Sequence, residues 1–160
     1  APALMQAGLS PDRLICVEAG DDKQLLACFE EGLRHGGLGA VIAEVAKLSM
    51  VASRRLQLAA ESSGVIALAI RRFRRVAEAA AFGQPTAAVT RWRVSALPSA
   101  PLPVPGVGRA RWRIELTRCR AGEGAVFEGE ACDAMGRLSV PAILAGRPAA
   151  AQPTQRRTAS

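Results

Sequence analysis

The first half of the chain alternates short apolar runs with amphipathic segments. The runs occupy residues 14–18 (LICVE), 40–45 (AVIAEV) and 65–70 (VIALAI). Between them, apolar residues recur at helical spacing: Leu25, Cys28, Phe29 and Leu33 in one segment, and Leu48, Ala52, Leu56, Ala59 and Ala60 in the other. Apolar strands separated by amphipathic helices are typical of right-handed βαβ units, whose parallel sheet is buried on both faces. The pattern therefore predicts an α/β fold with three parallel strands in this half.

Polar residues and glycines mark the ends of the two predicted helices. Asp21 or Asp22 is placed to cap the first helix, and the glycines at positions 36, 37 and 39 end it. Gly64 ends the second helix directly before the third apolar run. These signals place one helix between the first two runs and one between the last two.

After residue 85, polar and apolar residues alternate one by one, which indicates strands with two different faces. In residues 87–97, Val89, Arg91 and Arg93 lie on one side, and Thr90, Trp92 and Val94 lie on the other. Residues 111–120 alternate strictly: Trp112, Ile114, Leu116 and Arg118 oppose Arg113, Glu115, Thr117 and Cys119. The two segments are therefore predicted to be strands of one antiparallel sheet.

Proline and glycine residues define the connections of this second half. Residues 98–108 contain four prolines, which predicts an extended connection. A glycine turn at 122–124 leads into a further strand that ends at Cys132. We expect an antiparallel meander over residues 87–132 beside the parallel strands, and a disordered tail in residues 145–160, where the chain is small and polar.

The charge of the chain favours an acidic partner. The 160 residues carry a formal net charge of +7 with a pI near 10.5, and almost all of the positive charge is arginine because the only lysines are Lys23 and Lys47. No apolar run approaches the roughly 18 residues of a membrane helix, and the start of the chain lacks the order of a signal peptide. We expect a cytoplasmic protein whose four cysteines are reduced and mostly in the core.

Signatures of catalysis are missing from the sequence. The phosphate-binding pattern GxxxxGK(S/T) and the nucleophile pattern GxSxG do not occur, and the cysteines are not spaced as zinc ligands. Glu44 lies at the end of the second apolar run, where a carboxylate can hold a metal-bound water as in a Walker B site. A plain strand-terminal or helix-capping carboxylate is the favoured interpretation. We predict no catalytic residue, no metal site and no cofactor.

A group of arginines follows the third apolar run directly. We call Arg71, Arg72, Phe73, Arg74 and Arg75 the arginine cluster. Ligands of parallel α/β sheets bind at the carboxyl ends of the strands, where this cluster lies. Arginines around an aromatic ring suit single-stranded nucleic acid or an acidic protein surface. The alternative is a solvated strand end whose charge prevents aggregation.

Residues 6–48 resemble the stretch of RecA that leads through its Walker B strand. Two runs, GLRHGGLGAVIAEVAKLSMVASRRLQLAAE (32–61) and FGQPTAAVTRWRVSALPSAPLPVPGVGRARW (82–112), resemble the ImuA family more closely, the RecA-like proteins of bacterial SOS mutagenesis. The resemblance covers residues 4–147. It implies a RecA-like core, with residues 1–144 as a partial RecA-like domain and 145–160 as the tail.

The resemblance also implies a function and partners. The expected role is a non-catalytic accessory role in SOS-induced translesion DNA synthesis, with an ImuB-like protein and the error-prone DNA polymerase ImuC as partners. Single-stranded DNA is a further expected ligand because residues 71–86 occupy the place of a RecA DNA-binding loop. Self-association and contact with RecA are the remaining candidate interactions.

Departures from the RecA pattern leave two alternatives open. Glu44 matches the Walker B aspartate only in being a carboxylate, and Arg71 falls near a glutamine that senses nucleotide in RecA. The phosphate loop of RecA would lie before Ala1, so one alternative is that the chain is a fragment of an ATPase. The other alternative is a cell-division inhibitor that resembles SulA. Without the upstream strands, a sheet edge and apolar surface are expected to need a partner or an N-terminal part to cover them.

Overall fold

The computed structural model describes residues 4–5, 8–73, 83–99, 101–133 and 137. After a short 3-10 turn at Pro11–Arg13, the chain forms helix α1 (Asp22–His35), strand β1 (Ala40–Glu44), helix α2 (Met50–Ser63) and strand β2 (Ile66–Ile70). Strands β3 (Thr90–Leu97), β4 (Arg111–Cys119) and β5 (Ala125–Glu130) follow. The described residues thus form an α/β half and an antiparallel half, as the sequence predicted.

Helix α1 begins and ends at its predicted capping positions, and α2 ends at the predicted Gly64. The side chain of Asp21 accepts a hydrogen bond from the Gln24 N–H at 2.8 Å, and Ser49 accepts one from Ala52 at 3.1 Å. Gly36 and Gly64 end the helices with φ angles of 71° and 74°, a left-handed conformation that glycine adopts without steric cost. Local hydrogen bonding therefore defines both helices.

Strands β1 and β2 pair in parallel, which confirms two of the three predicted strands within one residue of their predicted bounds. The register runs from Ala40 opposite Ile66 to Glu44 opposite Ile70. One further hydrogen bond, from the Val45 N–H to the Ile70 carbonyl at 2.9 Å, extends the pairing by one residue. Both strands therefore end at the same edge of the sheet.

The core lies between this sheet and the two helices. Its buried residues are Phe29, Leu33, Leu56, Ala59 and Val65. Val41 and Ala43 of β1 pack against it, so both helices cover the same face of the sheet. A methyl group on Gly32 of α1 would come within 3.3 Å of the Val41 side chain, so the close approach of helix and strand favours glycine at this position.

The first predicted strand, residues 14–18, is wrong. Among the described residues the parallel sheet contains β1 and β2 alone, and residues 14–18 have no strand assignment. Ile15 and Val17 are 78% and 67% exposed. An apolar run indicates a tendency to be buried, but a strand also needs a neighbour that accepts its backbone hydrogen bonds, and no described strand pairs with this segment.

The predicted location of the cysteines is also wrong. Cys16 and Cys28 are exposed, and Cys119 and Cys132 are partly buried, all four as free thiols. In α1, Leu26 rather than Cys28 packs against the core, because the face that meets α2 is rotated from the predicted stripe.

No helix among the described residues is long and apolar enough to cross a membrane.

The antiparallel meander is confirmed, with strand order β3-β4-β5. The proline-containing connection between β3 and β4 lies outside any strand. The Ala87 N–H, just before β3, donates a hydrogen bond of 2.9 Å to the Ser53 hydroxyl of α2, which links this half to the α/β half. A RecA-type core and the boundary at residue 144 stay predictions, and the predicted tail lies outside the described residues.

A buried carboxylate joins the two helices. Only 11% of the Glu30 side chain is exposed, and its two oxygens accept from Arg34 of the same helix at 2.7 Å and from Arg55 of α2 at 2.5 Å. The arginine side chains are 65% and 66% exposed, so solvent screens the positive ends of both pairs. Glu30 therefore bridges α1 and α2 with a charge that is itself mostly removed from water.

We predict that Glu30→Ala lowers the free energy of unfolding by about 1–3 kcal/mol, because both ion pairs and the contact between the helices are lost. Glu31→Ala is the matched control: this neighbouring carboxylate is exposed and should change stability by less than about 0.5 kcal/mol. Urea denaturation followed by circular dichroism measures both variants. Equal effects at the two positions would show that Glu30 has no bridging role.

Candidate functional site

The parallel register brings Glu44 beside the arginine cluster. Glu44 is the last residue of β1 and lies opposite Ile70, the last residue of β2, after which the chain continues into Arg71 and Arg72. The Arg72 guanidinium donates to the Glu44 carboxylate at 2.9 Å. The two side chains are 70% and 53% exposed, so the pair lies at the surface. A pair of this kind contributes roughly 0–1 kcal/mol and exchanges readily with other partners.

Arg71 and Phe73 form a second contact in the cluster. The central guanidinium carbon of Arg71 lies 5.2 Å from the centroid of the Phe73 ring, within the range of a cation–π interaction. Both residues are partly buried, whereas Arg72 is exposed. Arg71 is thus held against the ring while Arg72 extends to the carboxylate. The remaining predicted members, Arg74 and Arg75, lie outside the described residues.

Glu44 is placed where the sequence predicted a strand-end carboxylate, but its oxygen is engaged by Arg72. Within the part of the chain that the structure describes, no three histidine, cysteine or acidic side chains lie close enough together to hold a metal ion. The edge of the parallel sheet therefore presents positive charge with one neutralising carboxylate. This arrangement suits the recognition of an anionic group.

The structure brings together a second set of arginines that the sequence analysis did not recognise as a surface. Opposed residues of antiparallel strands point to the same face of their sheet. The registers of β3 with β4 and of β4 with β5 therefore collect basic and acidic side chains on one face, which we call the polar sheet face. Its charged members are Arg91, Arg93, Arg111, Arg113, Arg118, Glu115, Glu128 and Glu130.

A register shift places Arg118 on this face, which corrects the strict alternation predicted for β4. Arg91 opposes Arg118, but the next residue, Trp92, opposes Leu116, so Thr117 is an extra residue in β4. Such a bulge changes the side on which the following side chains lie. Arg91 and Arg118 both donate to Thr86, to its hydroxyl at 3.1 Å and its carbonyl at 2.8 Å, which places their guanidinium groups on the same side.

Acidic side chains hold several of these arginines in place. Glu115 lies between Arg93 and Arg113, with oxygen–nitrogen distances of 3.9 Å and 3.8 Å. Arg111 donates to Glu128 at 2.9 Å. Half or more of the Arg93 and Arg113 side chains is exposed, at 59% and 50%. The polar sheet face therefore combines arginine–glutamate pairs with accessible positive charge.

The opposite face of the antiparallel sheet is apolar. Trp92 and Phe127 lie on it with ring centroids 6.3 Å apart and a tilt of 35°.

The alternation within each strand indicated two different faces, but only the cross-strand register shows which arginines are neighbours. That register depends on the bulge at Thr117, and no sequence signal for the bulge is evident.

In comparisons with known proteins, the sequence of this chain is similar to one group of relatives. No protein-family model matches it. It is 39% identical over 128 residues to the protein called "Protein ImuA" in two strains of Caulobacter vibrioides, a match that covers 76% of this chain. The match covers 52% of each relative, so the chain spans about half the length of the curated relatives it matches.

Proposed function

The chain belongs to the ImuA family, and on this premise we propose that it acts in the response to DNA damage, in SOS mutagenesis. In this proposal it is a non-catalytic accessory protein of translesion synthesis in the cytoplasm. It binds single-stranded DNA through the arginine cluster and joins an ImuB-like protein and an error-prone DNA polymerase. The family membership supports the cellular process, and the site geometry supports the ligand.

The main support for the DNA-binding part of this proposal is the arrangement of Arg71, Arg72 and Phe73 at the end of the parallel strands. Single-strand-binding proteins combine positive charge along the phosphates with aromatic rings that stack on bases. Arg72 is exposed and held by a weak surface pair with Glu44, so a phosphate can replace the carboxylate as its partner. Phe73, with Arg71 over its ring, supplies the aromatic component.

The polar sheet face supports the same ligand class. Positively charged surfaces attract polyanions over a Debye length, which is about 8 Å at physiological ionic strength. Arg93 and Arg113 are at least half exposed there. The face adds a positive electrostatic potential that attracts phosphates without sequence-specific contacts. This property suits a protein that binds damaged DNA of any sequence.

A non-catalytic role is consistent with the state of Glu44. A Walker B carboxylate orients a metal-bound water beside the nucleotide, whereas the Glu44 carboxylate is paired with Arg72. We therefore assign the edge of the parallel sheet to anion binding instead of nucleotide hydrolysis.

We expect replacement of Arg71, Arg72, Arg74 and Arg75 by alanine to weaken binding of a labelled single-stranded oligonucleotide by at least about tenfold at low salt. Each lost phosphate contact should also reduce the slope of log K against log salt by roughly 0.7. Fluorescence anisotropy at several salt concentrations measures both quantities.

The control for this experiment removes four positive charges elsewhere. Arg13, Lys23, Arg54 and Arg109 are all exposed and lie outside the cluster, so their replacement by alanine lowers the net charge equally. The control should retain most of the affinity. Equal losses in the two variants would mean that binding follows net charge alone, and no binding by the unaltered protein would contradict the DNA-binding part of the proposal.

We further expect the protein to capture a purified ImuB-like protein, and through it or directly the error-prone polymerase, in a pull-down. Nuclease is added so that DNA cannot bridge the proteins, because the proposed contact is between polypeptides. The arginine-cluster variant serves to separate the two activities and should still capture the partner. Failure of the unaltered protein to capture either partner would contradict the accessory role.

A further inference from the structure

The segment that leads into β3 is attached to α2 by a buried hydrogen bond. The Ala87 N–H donates to the Ser53 hydroxyl oxygen at 2.9 Å, and the two residues are 8% and 4% exposed. The Ser53 hydroxyl itself donates to the Met50 carbonyl at 2.8 Å, so its lone pairs are available to accept from Ala87. Without this acceptor the Ala87 N–H would be buried with no hydrogen bond, which is costly. Ser53 therefore provides a specific attachment point on α2.

Two arginines of the antiparallel sheet hold the same segment from the other side. Arg118 donates to the Thr86 carbonyl at 2.8 Å. Arg91 donates to the Thr86 hydroxyl at 3.1 Å and to the Gln84 carbonyl at 2.8 Å. A guanidinium group can make several such bonds because its five N–H donors form a planar fork. We call the resulting set the Thr86 junction: Ser53, Thr86, Ala87, Arg91 and Arg118.

We propose that the Thr86 junction positions two surfaces of the protein so that one DNA strand contacts both. The junction connects α2, in the half of the protein that carries the arginine cluster, to the strands that carry the polar sheet face. When two binding surfaces belong to one body, the second contact is intramolecular, and its effective concentration depends on how the two are held relative to each other. Holding them in place before binding also lowers the entropy that is lost when the strand binds.

This inference rests on the proposed function and deepens it, since it names residues that act on DNA binding without contacting DNA. Arg91 and Arg118 are positioning residues here because they donate to neutral oxygens of the protein's own segment. Arg93 and Arg113 lie instead beside the Glu115 carboxylate at the surface. Replacing Arg91 or Arg118 by alanine would remove a positive charge and a structural contact together. The test therefore uses the uncharged members of the junction.

The experiment measures how the affinity for single-stranded DNA rises with its length in Ser53→Ala, alone and combined with Thr86→Val. Labelled oligonucleotides range from about 4 nucleotides to about twice the 16 that one binding module occupies. The shortest ones reach a single surface, so the variants and the unaltered protein should bind them equally. The longest ones should bind the variants at least about threefold more weakly, because the two surfaces are no longer held together. The salt dependence for the shortest oligonucleotides should not change, since no positive charge is removed.

Ser62→Ala is the matched control, the same substitution at an exposed position of the same helix, and it should behave as the unaltered protein at every length. Circular dichroism establishes that each variant is folded at the assay temperature. Hydrogen exchange reports on the junction independently of DNA: the Ala87 amide should exchange slowly in the unaltered protein and faster in Ser53→Ala.

Three results would overturn this inference while leaving DNA binding itself intact. They are an unchanged affinity of the Ser53→Ala and double variants at every length, an equal loss at all lengths, and rapid exchange of the Ala87 amide in the unaltered protein. A different result, no binding of any oligonucleotide by the unaltered protein, would contradict the proposed function and this inference with it.

Discussion

The parallel pairing of β1 with β2 is the constraint on which the rest of the α/β half depends. Its register places Val41 and Ala43 against the two helices and turns Ile42 and the large residues of β2 to the other side. The same register ends both strands at one edge, where Glu44 meets Arg72. A slip of one residue would exchange the two faces of the strand and separate this ion pair. Packing and charge therefore depend on the same set of backbone hydrogen bonds.

Positive charge in this protein is arranged by weak contacts. Arg72 pairs with one exposed carboxylate, Arg71 lies against an aromatic ring, and the arginines of the polar sheet face share a small number of glutamates. Such contacts orient the guanidinium groups but contribute little stability each. They can be exchanged for phosphate contacts at small cost. The buried bridge at Glu30 differs, because its carboxylate is removed from water and joins two helices.

Local signals predicted more of this structure than long-range ones did. Asp21, Gly36 and Gly64 mark the helix ends because their effect is confined to neighbouring backbone groups. The run at residues 14–18 has the composition of a strand, but pairing depends on a neighbour that the run itself does not specify. The arginine cluster was visible as a sequence, whereas its contact with Glu44 required the parallel register. The polar sheet face needed the cross-strand register and the bulge at Thr117, which alternation within one strand cannot reveal.

The proposed function requires that the edge of the parallel sheet binds single-stranded DNA with Arg72 released from Glu44. Its most direct test is the affinity of Glu44→Gln for a single-stranded oligonucleotide, measured with and without Arg72→Ala. Removing the competing carboxylate should strengthen binding several-fold and steepen the salt dependence by roughly 0.7, the effect of one additional phosphate contact. This gain should vanish when Arg72 is absent. An unchanged affinity, or the same gain in the Arg72→Ala background, would contradict the account.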